Sequence, residues 1–492
     1  MEPPPKRLKA APFPAPLEAG ATPAVGVDLV GYVDGPNTGI HDPLWARAVA
    51  FRGGGQECAV IITLDLLGIE LELSREIRSV AAAKLDGQVA PENVLVQCTH
   101  NHSGPSLLRF YGEPPADSDV GRDTHHVHVD PAYERAAVAA AVAVAVEAYR
   151  ALRPATLRAG ATTVQGVAAN RRAVLDDGSV MHFSGLYSNT AGRWRGRAPP
   201  PRRTVAEAGA FDPELVALCA ADASTGEAIA VLSNYACHPW IYDGTRVSSE
   251  IPGATVDWIE AQLQPDSPGV VALYCPGAGS DITCVQHQAP APLGRVKSPD
   301  NAEEKRAWDA ASTAEREAWF GAERLRFGEL LGSATLRALE ADATGSSVGG
   351  EVAAGVRPVT LPCYPRPRES ASPGLRDMYD DQVLANGGKV SSNRLAPAEH
   401  RLETEVHVIE LGDVCIVGLP SEVYVDYGIE IKRRSRHKHT LVLSYVADYF
   451  GDIVTHEAVA ERCCPELDWT KIHPDARRVF MEALERELEP VA

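Results

Sequence analysis

Two histidines separated by one residue, His100 and His102, follow an apolar run at residues 94–96. Such a run predicts a buried strand, and the Gly104-Pro105 pair predicts the turn that ends it. In an extended backbone alternate side chains share a face, so the two imidazoles are expected to point the same way. One could bind a metal ion while the other contacts a substrate, although the pair alone is equally consistent with a polar strand end.

Two further apolar runs lead into residues that could take part in catalysis or metal binding. Residues 228–235 lead into His238, and residues 270–274 lead into the loop 277–283, whose glycines bring backbone amides and hydroxyls close together. Three predicted strands therefore end in segments with candidate functional side chains. This pattern favours a site formed at strand ends.

Strand and helix patterns follow one another along the chain without an internal repeat. The predicted strands are residues 48–51, 59–64, 155–164, 216–220, 228–235, 270–274, 352–361, 405–409, 414–417 and 440–445. The predicted helices are residues 71–85, 131–153, 299–341, 425–434 and 474–487. We therefore predict the α/β class, with mixed β-sheets flanked by helices in a single large catalytic domain that carries a metal site at its strand ends.

Two groups of side chains are assigned to structure rather than to function. The large apolar residues of the charged helical region are predicted to face the core: Trp308, Trp319, Phe320 and Leu325. The histidines of the polar loop 112–130 are left out of the primary site because solvation at the surface explains them: His125, His126 and His128.

The composition is typical of a soluble globular protein, with 492 residues, 45% of them hydrophobic and 23% charged. The net charge of −19 argues against nucleic acid or an anionic membrane surface as a partner, because either would need a basic patch. Ten cysteines without a Cys-x-x-Cys pair predict buried thiols and a cytoplasmic protein. Residues 1–24 are proline-rich and predict a disordered tail without a signal peptide or membrane anchor, and residues 25–492 are assigned to the catalytic domain.

Six short segments carry a more specific signal in combination than any one of them does alone. They are residues 39–48 (GIHDPLWARA), 99–105 (THNHSGP), 234–239 (NYACHP), 277–283 (GAGSDIT), 418–422 (GLPSE) and 448–455 (DYFGDIVT). In this order they resemble the neutral ceramidase family. The resemblance implies a zinc-dependent amidase domain of mixed α/β architecture that cleaves an N-acyl bond at a deep metal site.

The resemblance also implies roles for individual residues. His100 and His238 match zinc ligands of the family, and Glu422 matches its carboxylate ligand. His102 matches a group just outside the metal's ligands that faces the reacting carbonyl. Arg171 matches the arginine that anchors the substrate.

The sequence departs from the family at two places. Thr283 stands where sphingolipid-cleaving members have a serine, and Ser280 stands where they have the preceding glycine. Asp452 stands where they have a tyrosine ligand, with Tyr449 three residues earlier, so that either could be the fourth ligand. The immunoglobulin-like C-terminal domain of some members is also missing. These differences argue against ceramide as the substrate.

Two imidazoles, one Glu and one Asp or Tyr suit Zn²⁺ and leave a position open for catalysis. A bound zinc ion polarises a carbonyl and activates water, the combination that amide or ester hydrolysis requires. Water is the slightly favoured attacking group, and the hydroxyl of Thr283 or Ser280 is the alternative. Asp281 is a candidate catalytic carboxylate that could instead cap its glycine turn.

The function indicated is therefore a zinc-dependent hydrolase that cleaves an amide or ester bond of an N-acylated small molecule and is not specific for ceramide. One alternative is a zinc-dependent acyltransferase or bond-rearranging enzyme of specialised metabolism that excludes water. The other is a non-catalytic protein that binds zinc or a ligand. The expected partner is a small acylated molecule, without nucleic acid or stable membrane insertion, and the choice between a monomer and a homo-oligomer stays open.

Overall fold

The computed structural model describes residues 11–12, 27–30, 35–55, 57–108, 129–175, 180–182, 205–241, 244–284, 313–341, 351–363, 401–461, 466, 470 and 472–489. Within these ranges, no helix combines the length and the apolar character needed to cross a membrane.

The α-helices of the described region are α1 Leu71–Lys84, α2 Pro131–Arg150, α3 Glu250–Leu263, α4 Thr313–Ala341, α5 Val425–Arg434, α6 His456–Glu461 and α7 Ala476–Ala483, and a 3-10 helix spans Pro91–Asn93. The strands are β1 Ala11–Pro12, β2 Asp28–Val30, β3 Gly35–Pro36, β4 Gly39–Ile40, β5 Trp45–Arg52, β6 Cys58–Leu64, β7 Val94–Cys98, β8 Gly104–Pro105, β9 Ala155–Thr163, β10 Ala168–Asn170, β11 Arg172–Leu175, β12 Val180–His182, β13 Val205–Ala208, β14 Glu214–Asp222, β15 Ala228–Tyr235, β16 Arg246–Val247, β17 Val271–Pro276, β18 Ile282–Cys284, β19 Val352–Pro362, β20 Arg401–Leu411, β21 Val414–Gly418, β22 Glu422–Val423, β23 His439–Leu443 and β24 Asp452–Ile453.

Three four-stranded sheets of the described region share one arrangement. In each, an antiparallel pair of strands is followed by a helix and then by a strand parallel to the second strand of the pair. The first sheet uses β5, β6, α1 and β7, the second uses β14, β15, α3 and β17, and the third uses β20, β21, α5 and β23. Each sheet thus has two parallel strands whose carboxyl ends lie at one edge, the usual place for functional loops in α/β folds.

The strands of these sheets are apolar along most of their length because both of their faces are buried. In β6 all seven residues are buried. Ile61 joins a central cluster that also contains Leu232 and Ile416 from the other two sheets. Ile62 points to the opposite cluster, which α1 and α2 cover. The three sheets therefore meet around one central core and carry helices on their outer faces.

A single buried amide joins the carboxyl ends of the last strands of the three sheets. Gln97, in β7, donates from Nε2 to the carbonyl oxygen of Pro276, at 3.0 Å, and to that of Ser444, at 2.9 Å. Pro276 ends β17, and Ser444 directly follows β23. These bonds hold the three strand ends, and the segments that follow them, in one region.

The predicted fold class is confirmed, and the predicted bounds of β15 and α5 are those of the structure. The structure adds α3, which the sequence analysis does not predict, because Pro252 and Gly253 interrupt its helical pattern. Proline is tolerated in the first turn of a helix, where its missing N–H costs no hydrogen bond. A Cβ atom at Gly253 would lie 1.7 Å from the Ser249 Oγ atom, so this close contact requires glycine.

The core-facing prediction for α4 is confirmed for Trp319 and Phe320, which are 6% and 1% exposed. It is wrong for Leu325, which is 66% exposed because it lies outside the apolar stripe that contains Phe327 and Leu331. Trp308 lies outside the described residues. The cysteines predicted to be buried thiols are buried and free: Cys98, Cys237, Cys275 and Cys415.

Candidate metal centre and active site

The two histidines of the first motif meet in a turn rather than on a strand. Strand β7 ends at Cys98, and His100 has a φ angle of +60°, in the left-handed region. The prediction that His100 and His102 lie on one face of an extended strand is therefore wrong. The rings of His100 and His102 nevertheless come together, with centroids 4.7 Å apart and planes at 87°.

The ring of His100 is fixed on two sides. Its Nδ1 atom donates to the carbonyl oxygen of Leu67 at 2.8 Å, because a carbonyl can only accept. This bond fixes the tautomer and leaves the lone pair on Nε2. The ring of Tyr445 stacks on His100 at a centroid distance of 3.9 Å. The Nε2 atom lies 3.3 Å from Glu422 Oε2.

The second motif brings His238 to the same carboxylate. His238 follows β15 and forms a β-bridge with Thr283. Its Nδ1 atom lies 4.0 Å from Glu422 Oε2, and its Nε2 atom lies 2.8 Å from His102 Nε2. Nε2 of His100 and Nδ1 of His238 are buried and make no hydrogen bond to any residue that the structure describes. Buried polar atoms without partners are rare in native proteins and commonly mark a ligand or ion.

Three histidines therefore surround a position next to one carboxylate. One ring nitrogen from each of His100, His102 and His238 lies within 4.8 Å of those of the other two. Zn–N distances of about 2 Å place two nitrogens of one tetrahedral site about 3.3 Å apart, so small adjustments bring such atoms to one ion. The residues present thus fit a metal ion.

Glu422 lies on β22, which pairs in parallel with β24 so that Glu422 and Asp452 are register partners. Oε1 of Glu422 accepts a hydrogen bond from the Tyr449 hydroxyl. Burial opposes ionisation of Glu422, whereas the hydrogen bond from Tyr449 and the positive charge of Arg171 favour it. Burial and the neighbouring Glu422 charge raise the pKa of Asp452 well above its usual range, and Asp452 accepts a hydrogen bond from Ser280 Oγ. A cation at this point would relieve the repulsion between the two carboxylates.

Arg171 is buried beside the centre, and its Nη1 atom donates to Glu466 Oε1 at 3.2 Å. Burial, His100 and Arg171 together lower the pKa of His102 well below its usual value. Burial and Arg171 are also the first causes that lower the pKa of His238. Both imidazoles are therefore neutral at physiological pH, the form that binds metal or accepts a proton.

The remaining predicted site residues lie around the loop that follows β17. Asp281 accepts hydrogen bonds from Asn170 Nδ2 at 2.8 Å, Arg172 Nη2 at 3.2 Å and the backbone N–H of Val425 at 2.8 Å. Its carboxylate thus ties β10, β11 and the start of α5 together. Thr283 is buried in β18.

The sequence analysis misses two residues close to the histidines. Tyr445, the stacking partner of His100, lies at the end of a predicted strand, and that position could have singled it out. Glu250 accepts a hydrogen bond from the backbone N–H of His102 at 2.9 Å, and no local sequence signal marks it. The excluded histidines of the loop 112–130 lie outside the described residues: His125, His126 and His128.

Comparison with known protein families identifies the family of this chain. Residues 20–284, more than half of the chain, match the family model described as neutral/alkaline non-lysosomal ceramidase, N-terminal. The chain therefore belongs to this ceramidase family, and the predicted resemblance is confirmed.

Two solved structures share the fold. The neutral ceramidase from Pseudomonas aeruginosa is 17% identical, with a TM-score of 0.66 over 95% of this chain and 73% of that chain. A ceramidase complexed with C2 is 18% identical, with a TM-score of 0.65 over 95% of this chain and 74% of that chain. A search of curated proteins gives no match.

Proposed function

We propose that this chain is a zinc-dependent hydrolase that cleaves the amide or ester bond of an N-acylated small molecule. One observation carries the proposal: two buried imidazole nitrogens, which have no hydrogen-bond partner among the described residues, converge on one carboxylate oxygen. Membership of the ceramidase family supports amide hydrolysis as the reaction.

The zinc ligands we propose are His100 through Nε2, His238 through Nδ1 and Glu422 through Oε2, with Asp452 as the fourth. When bound, the ion would polarise the acyl carbonyl and activate water. The Tyr449 hydroxyl is engaged by Glu422, so we assign it to orienting that carboxylate. Carboxylate oxygen is an ordinary zinc donor, which suits Asp452.

His102 is proposed to stabilise the oxyanion that forms during hydrolysis. If His238 binds zinc through Nδ1, its proton is on Nε2, which then donates to His102 Nε2 at 2.8 Å. His102 consequently carries its own proton on Nδ1, from which it can donate to the negatively charged oxygen. The positive charge of Arg171 is proposed to anchor the substrate and to stabilise negative charge on the carbonyl oxygen. Thr283 or Ser280 supplies the alternative hydroxyl nucleophile. Asp281 is proposed to support the loop that carries both residues, since it accepts hydrogen bonds from Asn170, Arg172 and the backbone N–H of Val425.

The substrate proposed is smaller or more polar than ceramide. Three residues depart from sphingolipid-cleaving members, Thr283, Ser280 and Asp452. Two of them, Ser280 and Asp452, are hydrogen-bonded to each other, so they alter the site together. We also propose that residues 25–492 form the catalytic domain and that the protein acts in the cytoplasm. The tail predicted to be disordered contributes strand β1 at Ala11–Pro12, which pairs with β5 of this domain.

Metal analysis and an activity panel test this proposal. The wild type is expected to bind one equivalent of zinc and to hydrolyse at least one of a panel of N-acyl amides and esters, with ceramide a poor substrate. Hydrolysis in ¹⁸O-labelled water should place ¹⁸O in the released acid. His100→Ala and Asp452→Ala should each lose zinc and turnover. If both variants kept the metal and full activity, the ligand assignment would be wrong.

A further inference from the structure

A short segment before helix α3 lies directly against the segment that carries His102. The backbone N–H of Ser248 donates to the Ser103 carbonyl at 3.0 Å. The Asn101 side-chain amide donates to the Ser248 carbonyl at 3.2 Å. Residues 248–250 are therefore hydrogen-bonded to the turn that carries His100 and His102, through both a backbone and a side-chain group of that turn.

The carboxylate of Glu250 joins two loops of the centre. Glu250 is 0% exposed, and its Oε1 atom accepts from the backbone N–H of His102 at 2.9 Å and from Ser103 Oγ at 2.8 Å. Its Oε2 atom accepts from the backbone N–H of Ile241 at 3.0 Å. Ile241 lies three residues after His238. One side chain thus connects the His102 turn to the His238 loop.

The conformation of Glu250 is held from outside the centre. Its φ angle of +48° is unfavourable for a residue with a side chain. Its backbone N–H donates to Ser248 Oγ at 3.0 Å, and this hydroxyl donates to Asp42 Oδ2 at 2.7 Å. Asp42 also accepts from the Ser249 backbone N–H and pairs with Arg324 of α4 at 3.1 Å. The early motif at residues 39–48 thus supports Glu250 rather than the reaction itself.

We propose that Glu250 is a positioning residue that fixes the distance between the imidazoles of His102 and His238. By bridging the two loops, it sets the direction from which His238 offers Nδ1 to the metal. This inference rests on the proposed function, because it assigns Glu250 a role in building the same centre. Residues that hold ligands from behind typically change metal affinity or activity about 10- to 100-fold when they are removed.

Glu250→Gln tests the bridge with little change in shape. The amide oxygen can still accept from His102, but the amide NH₂ then faces the N–H of Ile241, so two donors oppose each other. Glu260→Gln is the matched control, because Glu260 is a largely buried carboxylate of the same helix that accepts from the Ala272 backbone N–H. Zinc affinity, the absorption spectrum of the Co²⁺-substituted protein, kcat and KM are measured for each variant that keeps a cooperative unfolding transition.

The expected result is about 10- to 100-fold weaker zinc binding or a kcat lowered by the same factor in Glu250→Gln. Its Co²⁺ spectrum should be altered and its KM unchanged, while Glu260→Gln keeps all wild-type values. If Glu250→Gln does not fold, Glu250→Asp replaces it: that side chain keeps both acceptor oxygens but is one methylene shorter, so it reaches only one loop.

A folded variant at position 250 with wild-type zinc affinity, Co²⁺ spectrum and kcat would overturn this inference and leave the proposed function intact. A wild-type protein that binds no zinc would overturn both.

Discussion

Left-handed backbone conformations concentrate around the histidines. His100, Glu250, Ser421 and Tyr445 have φ angles between +48° and +61°, although none of them is glycine. Such conformations cost about 1–3 kcal/mol each and persist only where the surroundings enforce them, most often at functional sites. The residues of the centre are thus held by tertiary contacts against their local preference, which gives their side chains directions that a regular strand would not.

Removal of the Tyr449 hydroxyl tests whether its hydrogen bond orients Glu422. Tyr449→Phe removes the bond to Glu422 Oε1 and is expected to weaken zinc binding about 10-fold, because the carboxylate is then free to rotate. Titration against a chromophoric chelator measures this affinity.

Tyr274→Phe is the matched control. Tyr274 is also buried, and its hydroxyl makes no hydrogen bond within the described part of the chain. Unchanged affinity in Tyr449→Phe, or an equal loss in both variants, would show that the Tyr449 bond does not orient a ligand.

Among the elements, helix α1 of the first sheet is joined to strand β20 of the third by a buried carboxylate. Glu405 accepts from Arg75 at 3.0 Å and from His407 at 3.2 Å, and it pairs with Arg78 at 2.5 Å. Burial opposes the charge of Glu405, but the His407 bond and the Arg78 charge outweigh it and lower its pKa to about 2. This contact stabilises the packing of α1 against β20 and is not part of the candidate metal centre.

This contact predicts a specific loss of stability in acid. Because the folded-state pKa of Glu405 is below its ordinary value of 4.5, its contribution is full above pH 4.5 and is lost as the pH falls toward 2. Glu405→Gln should lower the free energy of unfolding at neutral pH and reduce its slope between pH 4.5 and 2. Urea denaturation across this range measures both quantities.

Glu76→Gln, on the exposed face of α1, serves as the control and should behave like the wild type. Parallel pH profiles for the wild type and Glu405→Gln would mean that the ion pairs add nothing to stability.

For the whole molecule, each of the three sheets supplies part of the centre. His100 and His102 follow the first sheet, His238 follows the second, and Glu422 lies between β21 and β23 of the third. Gln97 joins the same three strand ends through its amide. A metal ion bound at this point would link all three sheets, so ligand binding and global stability should be coupled.

Gln97→Leu tests how much the amide contributes to the junction. Leucine has a similar volume but cannot donate a hydrogen bond. The Ser444 carbonyl oxygen therefore loses this donor, whereas the Pro276 carbonyl oxygen still accepts from the Ser444 backbone N–H at 3.0 Å. The expected loss in free energy of unfolding is about 1–3 kcal/mol, the usual cost of a buried polar group left unpaired. Chemical denaturation that shows no loss would mean that the Gln97 amide does not stabilise the junction of the three sheets.

Much of the architecture can be predicted from the sequence because the central strands are buried on both faces. Continuous apolar runs such as Ala228–Tyr235 have few alternatives to a buried strand. The polar residues that follow these runs, His100 and His238 among them, mark the edge where functional loops gather.

What the sequence leaves out depends on contacts between distant segments. Helix α3 begins with Glu250 in a left-handed conformation. Asp42 stabilises this conformation through its hydrogen bond with Ser248, although Asp42 and Ser248 are more than 200 residues apart in the sequence. The turn at His100 depends in the same way on Leu67 and Tyr445. Local patterns carry no information on such pairs, so neither Glu250 nor the left-handed histidine could be predicted.

Anomalous X-ray scattering at the zinc edge, from crystals of the zinc-loaded protein, tests the central claim most directly. We predict one strong peak about 2.0–2.2 Å from His100 Nε2, His238 Nδ1 and a Glu422 oxygen. A peak bound by other residues, or no peak at this position in a protein that hydrolyses its substrate, would contradict the account.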